Sequence, residues 1–257
     1  RMNKIIKNKK KKIIILGFVP ETIVRIHSVW RHFYEYGNVF AFKPRFFLKN
    51  GQLRLYKNPI KNLSNINNIK KKIKNLKRID YWYEKKFKLD LIKFPFLCSM
   101  FKNFPRNILV IYYLTLYKIF SSNIYYNKAW RVNLKNNFNY VIKSYKDKDM
   151  VSLLIEEIKF FTKKVNKHRG KPVVIIFPYL DDLNHIVKTN TVFYEEIVKK
   201  ISSFVDVIDL STKILKSKNR KKYFVNSFYG SHLSKIGNKI IAKNINSFLK
   251  KNLKIKI

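Results

Sequence analysis

From Met150 onward the sequence alternates between helix-period and strand-like apolar patterns, and this alternation narrows the available folds more than any other feature. Met150, Leu153, Leu154, Ile158, Phe161 and Val165 fall on one helical face. Gly170 and Pro172 then punctuate the chain, and Val173–Phe177 reads as a strand. Phe193, Ile197, Ile201 and Phe204 make a second helical stripe, Val205–Leu210 a second strand, and Ile236, Ile240, Ile241, Ile245, Phe248 and Leu249 a third stripe. Strand and helix in regular succession predict an α/β fold, with a parallel sheet covered by helices on both faces. The run Lys12–Phe18, KIIILGF, reads as a further strand of that sheet, buried on both faces.

In such sheets, ligands sit beyond the carboxyl ends of the strands. The segments 17–22 and 178–182 and the loop carrying His232 are all expected at that edge. Ser234 is a natural N-cap for the last helix, and Gly237 would let that helix approach its neighbour closely. His232 therefore sits just outside a helix, where a rigid scaffold can present an imidazole able to accept a proton near neutrality. The other four histidines are weaker candidates. His27 and His32 lie among Trp and Tyr residues, and His168 lies just before a turn. His185 shares a helix face with Asp181, but no third ligand accompanies the pair, and Asp182 as a helix cap is the simpler reading.

Between the first strand and Met150 the pattern is less regular. The segment FVPETIVRIHSVWRHFYEYGN reads as a loop and a short helix, and Asn50-Gly51 separates two β-like runs as a hairpin turn. Residues 61–78, rich in Lys, Asn and Ile, read as a solvated helix or linker. From about Asp80 to Tyr145 the chain is apolar and aromatic and is broken by Pro95 and Pro105, so two or three helices are expected. The segment Asn107–Phe120 is apolar almost all round and calls for cover by other protein or by a partner. Too long for a plain connection, residues 80–145 read as a helical insertion or cap.

The terminal pattern Gly-x-His-Leu-Ser-x-x-Gly-Asn-x-x-x-Ala, at Gly230, His232, Leu233, Ser234, Gly237, Asn238 and Ala242, resembles the last conserved block of the SGNH (GDSL-type) hydrolases. KIIILGFVPETIVRI with FKPRFFLKNGQLRLYKNPI looks like the third block of a bacterial subfamily, KPVVIIFPYLDDL like its later central strand, and VDVIDLSTKIL like the strand before the histidine loop. The resemblance implies a three-layer α/β/α domain, SGNH- or flavodoxin-like, over residues 1–257, with the 80–145 segment inserted. It implies hydrolysis or transfer of an ester-linked acyl group, such as acetyl on a carbohydrate, with His232 as the general base. On the same grounds Gly17, Glu21, Gly230 and Ser231 are candidate substrate-binding residues, the ligand is a small-molecule or glycan acyl ester, and no metal or organic cofactor is required.

Three positions depart from the family pattern. None of the six glycines is followed by Asp-Ser, so this chain shows no nucleophile, and Ser231 is too close in sequence to His232 to serve. Tyr229 occupies the place of the triad acid, and Glu21 stands near the place of an oxyanion-donating Asn, where a carboxylate repels developing negative charge. The chain begins with Arg and has a short lead-in before Lys12. It is therefore expected to be either a fragment lacking the first strand and serine loop, or a degenerate relative that binds a carbohydrate or protein partner without catalysis.

Composition bears on other classes, a basic nucleic-acid-binding protein being a third reading that rests on charge alone. Hydrophobic residues make up 46% of the 257 positions, enough for a core. The net charge of +41 comes mainly from lysines, only ten of the 56 bases being arginine, and these are dispersed through the chain with Asn and Ile. That pattern describes a solvated surface rather than a specific nucleic-acid site. The single cysteine, Cys98, excludes an internal disulfide, and its apolar context predicts burial. The apolar run 108–117 is about half of the ~20 residues a membrane span needs, so no transmembrane segment is expected and a cytoplasmic location is favoured.

Overall fold

The computed structural model describes residues 12–58, 60, 62, 69–217, 219–225 and 232–253. In chain order they form β1 (Ile13–Phe18), α1 (Thr22–Arg25), the strands β2 (Arg45–Lys49) and β3 (Gln52–Tyr56), and α2 (Ile69–Ile79). A π-helical turn, Tyr83–Phe87, runs into a helical turn, Lys88–Asp90, followed by α3 (Phe96–Lys102), α4 (Arg106–Phe120), α5 (Asn123–Ser144) and α6 (Lys148–Lys167). The last third comprises β4 (Lys171–Ile176), α7 (Leu180–Thr189), α8 (Glu195–Ser202), β5 (Asp206–Asp209), α9 (Ser211–Leu215) and α10 (Lys235–Leu253). Contacts divide the chain into two compact units, one of Arg1–Thr22 with Leu154–Ile257, the other Ile23–Leu153.

The first unit is α/β. Its three strands are all parallel in the order β1-β4-β5, with Gly17 opposite Ile175 and Ile176 opposite Asp209. β4 lies in the middle, and Val173, Val174, Ile175 and Ile176 are fully buried, as a strand covered on both faces requires. The core continues through Leu183, Ile208, Leu210, Ile214, Tyr223, Phe224 and Ile241. β1 differs from the sequence expectation: it is an edge strand among the described residues, and Ile15 is 44% exposed. A run of β-branched residues marks a strand, but whether a neighbour covers both its faces is decided by distant parts of the chain.

α10 packs its stripe through Ile240, Ile241, Ile245 and Phe248, whereas Ile236, in the first turn, faces solvent. Ser234 caps this helix by accepting the Gly237 N–H at 3.1 Å. A Cβ on Gly237 would lie 2.1 Å from the Tyr223 carbonyl oxygen, so only glycine admits this helix–backbone approach. The α6 stripe is buried along its whole length, from Met150 to Val165.

In the second unit, β2 and β3 form the expected hairpin, with Asn50 (φ 52°) and Gly51 (φ 73°) both left-handed in the turn, as a two-residue type I′ connection requires. The buried Asp80 carboxylate organises the chain around it. It accepts the N–H groups of Val29 (2.6 Å), Trp30 (2.9 Å) and Trp82 (2.9 Å) and the Ser28 hydroxyl (3.0 Å). A second buried network joins Lys86 to Asp90 at 2.8 Å, with the Tyr36 phenol and the Asn103 amide also on Asp90. Burial pulls the Lys86 ammonium down to about 8 against the attraction of Asp90. After the helical turns at 83–90 the segment holds α3, α4 and α5, within the two or three helices expected, and Pro95 and Pro105 stand at the N-caps of α3 and α4. Cys98 is exposed on α3, contrary to the burial its apolar context predicts, because that context is itself largely at the surface.

Candidate functional site

The carboxyl ends of the three parallel strands are laced together. Phe177 N–H donates to the Phe18 carbonyl (2.9 Å) and Leu210 N–H to the Ile176 carbonyl (3.2 Å). The connections after β1, β4 and β5 therefore start side by side. Gly17, one residue from the end of β1, is held by packing: a Cβ there would meet the Phe177 ring at 2.6 Å. After β4 the chain turns through Pro178 and Tyr179 into α7, where the Asp182 carboxylate accepts the Tyr179 N–H at 2.7 Å. Asp182 thus caps α7 from its third position, reaching back to the residue before the helix.

His232 reaches this rim from the other end of the unit. Its imidazole is exposed and stands edge-on to the Tyr179 ring, with centroids 6.4 Å apart. The stem of its loop is fixed by backbone. Phe224 and Leu233 form an antiparallel bridge, the Val225 N–H donates to the His232 carbonyl (2.7 Å), and the Ser234 N–H donates to the Tyr223 carbonyl (2.8 Å). The Ser234 hydroxyl donates to the Lys222 carbonyl (2.7 Å) while it caps α10, so it is committed to structure. Tyr229, Gly230 and Ser231 lie outside the described residues.

The same rim gathers carboxyl groups in a strongly basic chain. Asp182 is almost fully buried, and burial, reinforced by repulsion from Asp181, Glu21 and Asp209, pushes its carboxyl up to about 8. Asp209, at the end of β5, is also raised by burial, opposed by the Ser211 N–H that it accepts at 2.9 Å. The buried Tyr194 donates its phenol to Asp209 at 3.4 Å and is raised by burial and by that carboxylate. Asp182 is the helix cap that its sequence position indicates, whereas Asp209 and Tyr194 are not among the candidate residues of the sequence. The signal that could have found Asp209 was an acid at or just after the end of each strand, Glu21 after β1, Asp181 and Asp182 after β4, Asp209 ending β5; nothing comparable marks Tyr194. Among the described residues no carboxylate bonds or ion-pairs with His232.

The remaining histidines do not join this group. His27 is buried in the second unit against Tyr81, and burial, with Arg45 nearby, lowers it to about 4. His32 packs among Trp30, Tyr36 and Phe87. His185 sets its ring against Phe193, and His168 is exposed after α6. No group of three or more His, Cys, Asp or Glu residues suited to a metal ion occurs among the described residues.

The chain is an α/β protein whose first unit is built on a small, wholly parallel sheet, with a histidine and several carboxylates at the sheet's carboxyl edge. Comparison of the chain with protein-family models, with curated proteins and with solved structures returns no match in any of the three. No helix among the described residues is long and apolar enough to cross a membrane.

Proposed function

We propose that the parallel sheet belongs to a three-layer α/β/α domain of SGNH type, and that the chain is the histidine-bearing part of an enzyme acting on ester-linked acyl groups, acetyl on a carbohydrate among them. The observation that carries this reading is the place of His232: an exposed imidazole on a backbone-stapled loop, beside Tyr179 at the carboxyl rim of the sheet. A base at that rim stands where α/β sheets present ligands. The reacting serine would come from outside the described residues. Among the described residues β1 is an edge strand, so its outer backbone edge could pair with a further strand.

The chemistry asked of His232 is that of a general base. It takes the serine proton as the hydroxyl oxygen attacks the ester carbonyl carbon, then returns that proton to the leaving alkoxide. Gly17 and Glu21 lie on or just after β1, within the rim, and Gly230 and Ser231 immediately precede His232 in sequence. The acidic rim suits a neutral, hydroxyl-rich substrate better than an anionic one, because carboxylates at Glu21 and Asp209 repel negative charge.

A second reading, a binding module for a carbohydrate or protein partner that has lost catalysis, is favoured by one observation: His232 has no bonded carboxylate among the described residues to orient its ring. The two readings separate on aryl acetate hydrolysis by the protein translated from the coding sequence upstream of Arg1 through Ile257. The enzyme reading expects turnover that falls roughly 10³-fold or more in His232→Ala. Turnover unchanged by the substitution would remove His232 from the mechanism, and no turnover from either protein would favour the binding module.

A further inference from the structure

The second unit carries a helical hairpin whose burial is inverted. In α4 the buried side chains are Arg106, Asn107 and Val110, two of them polar, while Leu109, Leu114, Ile119 and Phe120 are exposed. The connection to α5 continues the pattern, with Phe120 61% and Ile124 63% exposed. α3 and its flanks repeat it: Phe94 is 82% exposed, and Leu97, Phe101 and Phe104 are exposed as well. So many large apolar side chains exposed within one stretch of chain are more than the scattered exposed residues of an ordinary surface.

Charge narrows what such a surface could meet. From Leu91 to Lys146 the sequence holds no Asp or Glu, and Lys93, Lys102, Lys118, Lys128, Arg131 and Lys135 are all exposed. A second copy of the chain would bring these like charges together. An anionic lipid surface offers both an apolar phase and the opposite charge. Tyrosines stand between the two: Tyr117 and Tyr126 are exposed with ring centroids 5.6 Å apart, and the Lys128 ammonium lies 5.8 Å from the Tyr113 ring and 5.7 Å from that of Tyr125. Rings with one apolar and one wet end suit the headgroup level of a bilayer. With 15 residues α4 is about 22 Å long, short of the ~30 Å hydrocarbon core, and no helix among the described residues is both long and apolar enough to cross a membrane.

We propose that the α3–α5 segment is a membrane-docking surface, whose apolar side chains enter one leaflet of an anionic bilayer while its lysines face the headgroups. The test is flotation of the full chain with vesicles of phosphatidylcholine alone or mixed with phosphatidylglycerol. The chain should float with the anionic vesicles and much less with the zwitterionic ones. The triple variant Ile119→Ser/Phe120→Ser/Ile124→Ser should lose roughly tenfold or more of the binding, and Lys118→Glu/Lys128→Glu several-fold. Because these positions are exposed, both variants should keep the parent far-UV circular dichroism. As a second readout, Cys98 is the sole cysteine and sits exposed on α3, so a polarity-sensitive fluorophore attached there should shift to the blue on anionic vesicles. Three results would each overturn the proposal: no flotation of the parent chain, parent-like flotation of the triple-serine variant, which would assign binding to general surface charge, or a vesicle-independent dimer dissolved by that variant.

Discussion

Gly237 shows how a single side chain can decide a contact in this protein. Any β-carbon there would collide with backbone at Tyr223, which cannot rotate away. Gly237→Ala should therefore cost about 3 kcal/mol of unfolding free energy in urea titration, whereas Asn238→Ala, one exposed residue further on, should change it by no more than about 0.5 kcal/mol. Asp182 gives a pH signature. Its carboxyl is raised from an ordinary value near 3.8 to about 8 in the folded chain. The folded state then binds more protons than the unfolded one between those values, and its stability falls as pH rises through that window. Asp182→Asn keeps the acceptor for the Tyr179 N–H and removes the titration. Measured against the parent, the variant should gain on the order of 4 kcal/mol between pH 5 and pH 8, while a constant difference would mean that Asp182 ionises normally. The importance of Gly237 is visible in the sequence, where a helix start with Ser at the cap and Gly three residues later announces a close approach. That of Asp182 is not, since its neighbours Glu21 and Asp209 are far away along the chain and meet it only through parallel crossovers.

Among the elements, those with a one-sided pattern were the most legible. The stripe from Met150 to Val165 is buried residue for residue, and Asn50-Gly51 forms the hairpin turn it announces. β4, the middle strand, is also where the run of valine and isoleucine places it. Legibility fails where an apolar run does not reveal what covers it. KIIILGF and the surroundings of Cys98 both read as buried, yet Ile15 and Cys98 are exposed. α4 is the extreme case: it is apolar all round and calls for cover, but the side chains it buries are mainly polar ones, Arg106 and Asn107.

At the scale of the molecule, a net charge of +41 spreads over the chain while carboxylates gather at one edge of the parallel sheet. Excess lysine describes the surface and says little about the chemistry, which depends on what the rim holds together. That the strands run parallel could be read from the succession of strand and helix patterns, and the placing of His232 on a loop ahead of the last helix from the sequence around it. The nucleophile could not, because no Gly-Asp-Ser occurs in the chain. The most direct measurement is covalent labelling of the upstream-extended protein with a fluorophosphonate probe, followed by peptide mass mapping. The esterase account predicts one labelled serine, N-terminal to Lys12, whose labelling falls sharply in His232→Ala. Labelling that does not depend on His232, or its absence from any serine, would contradict it.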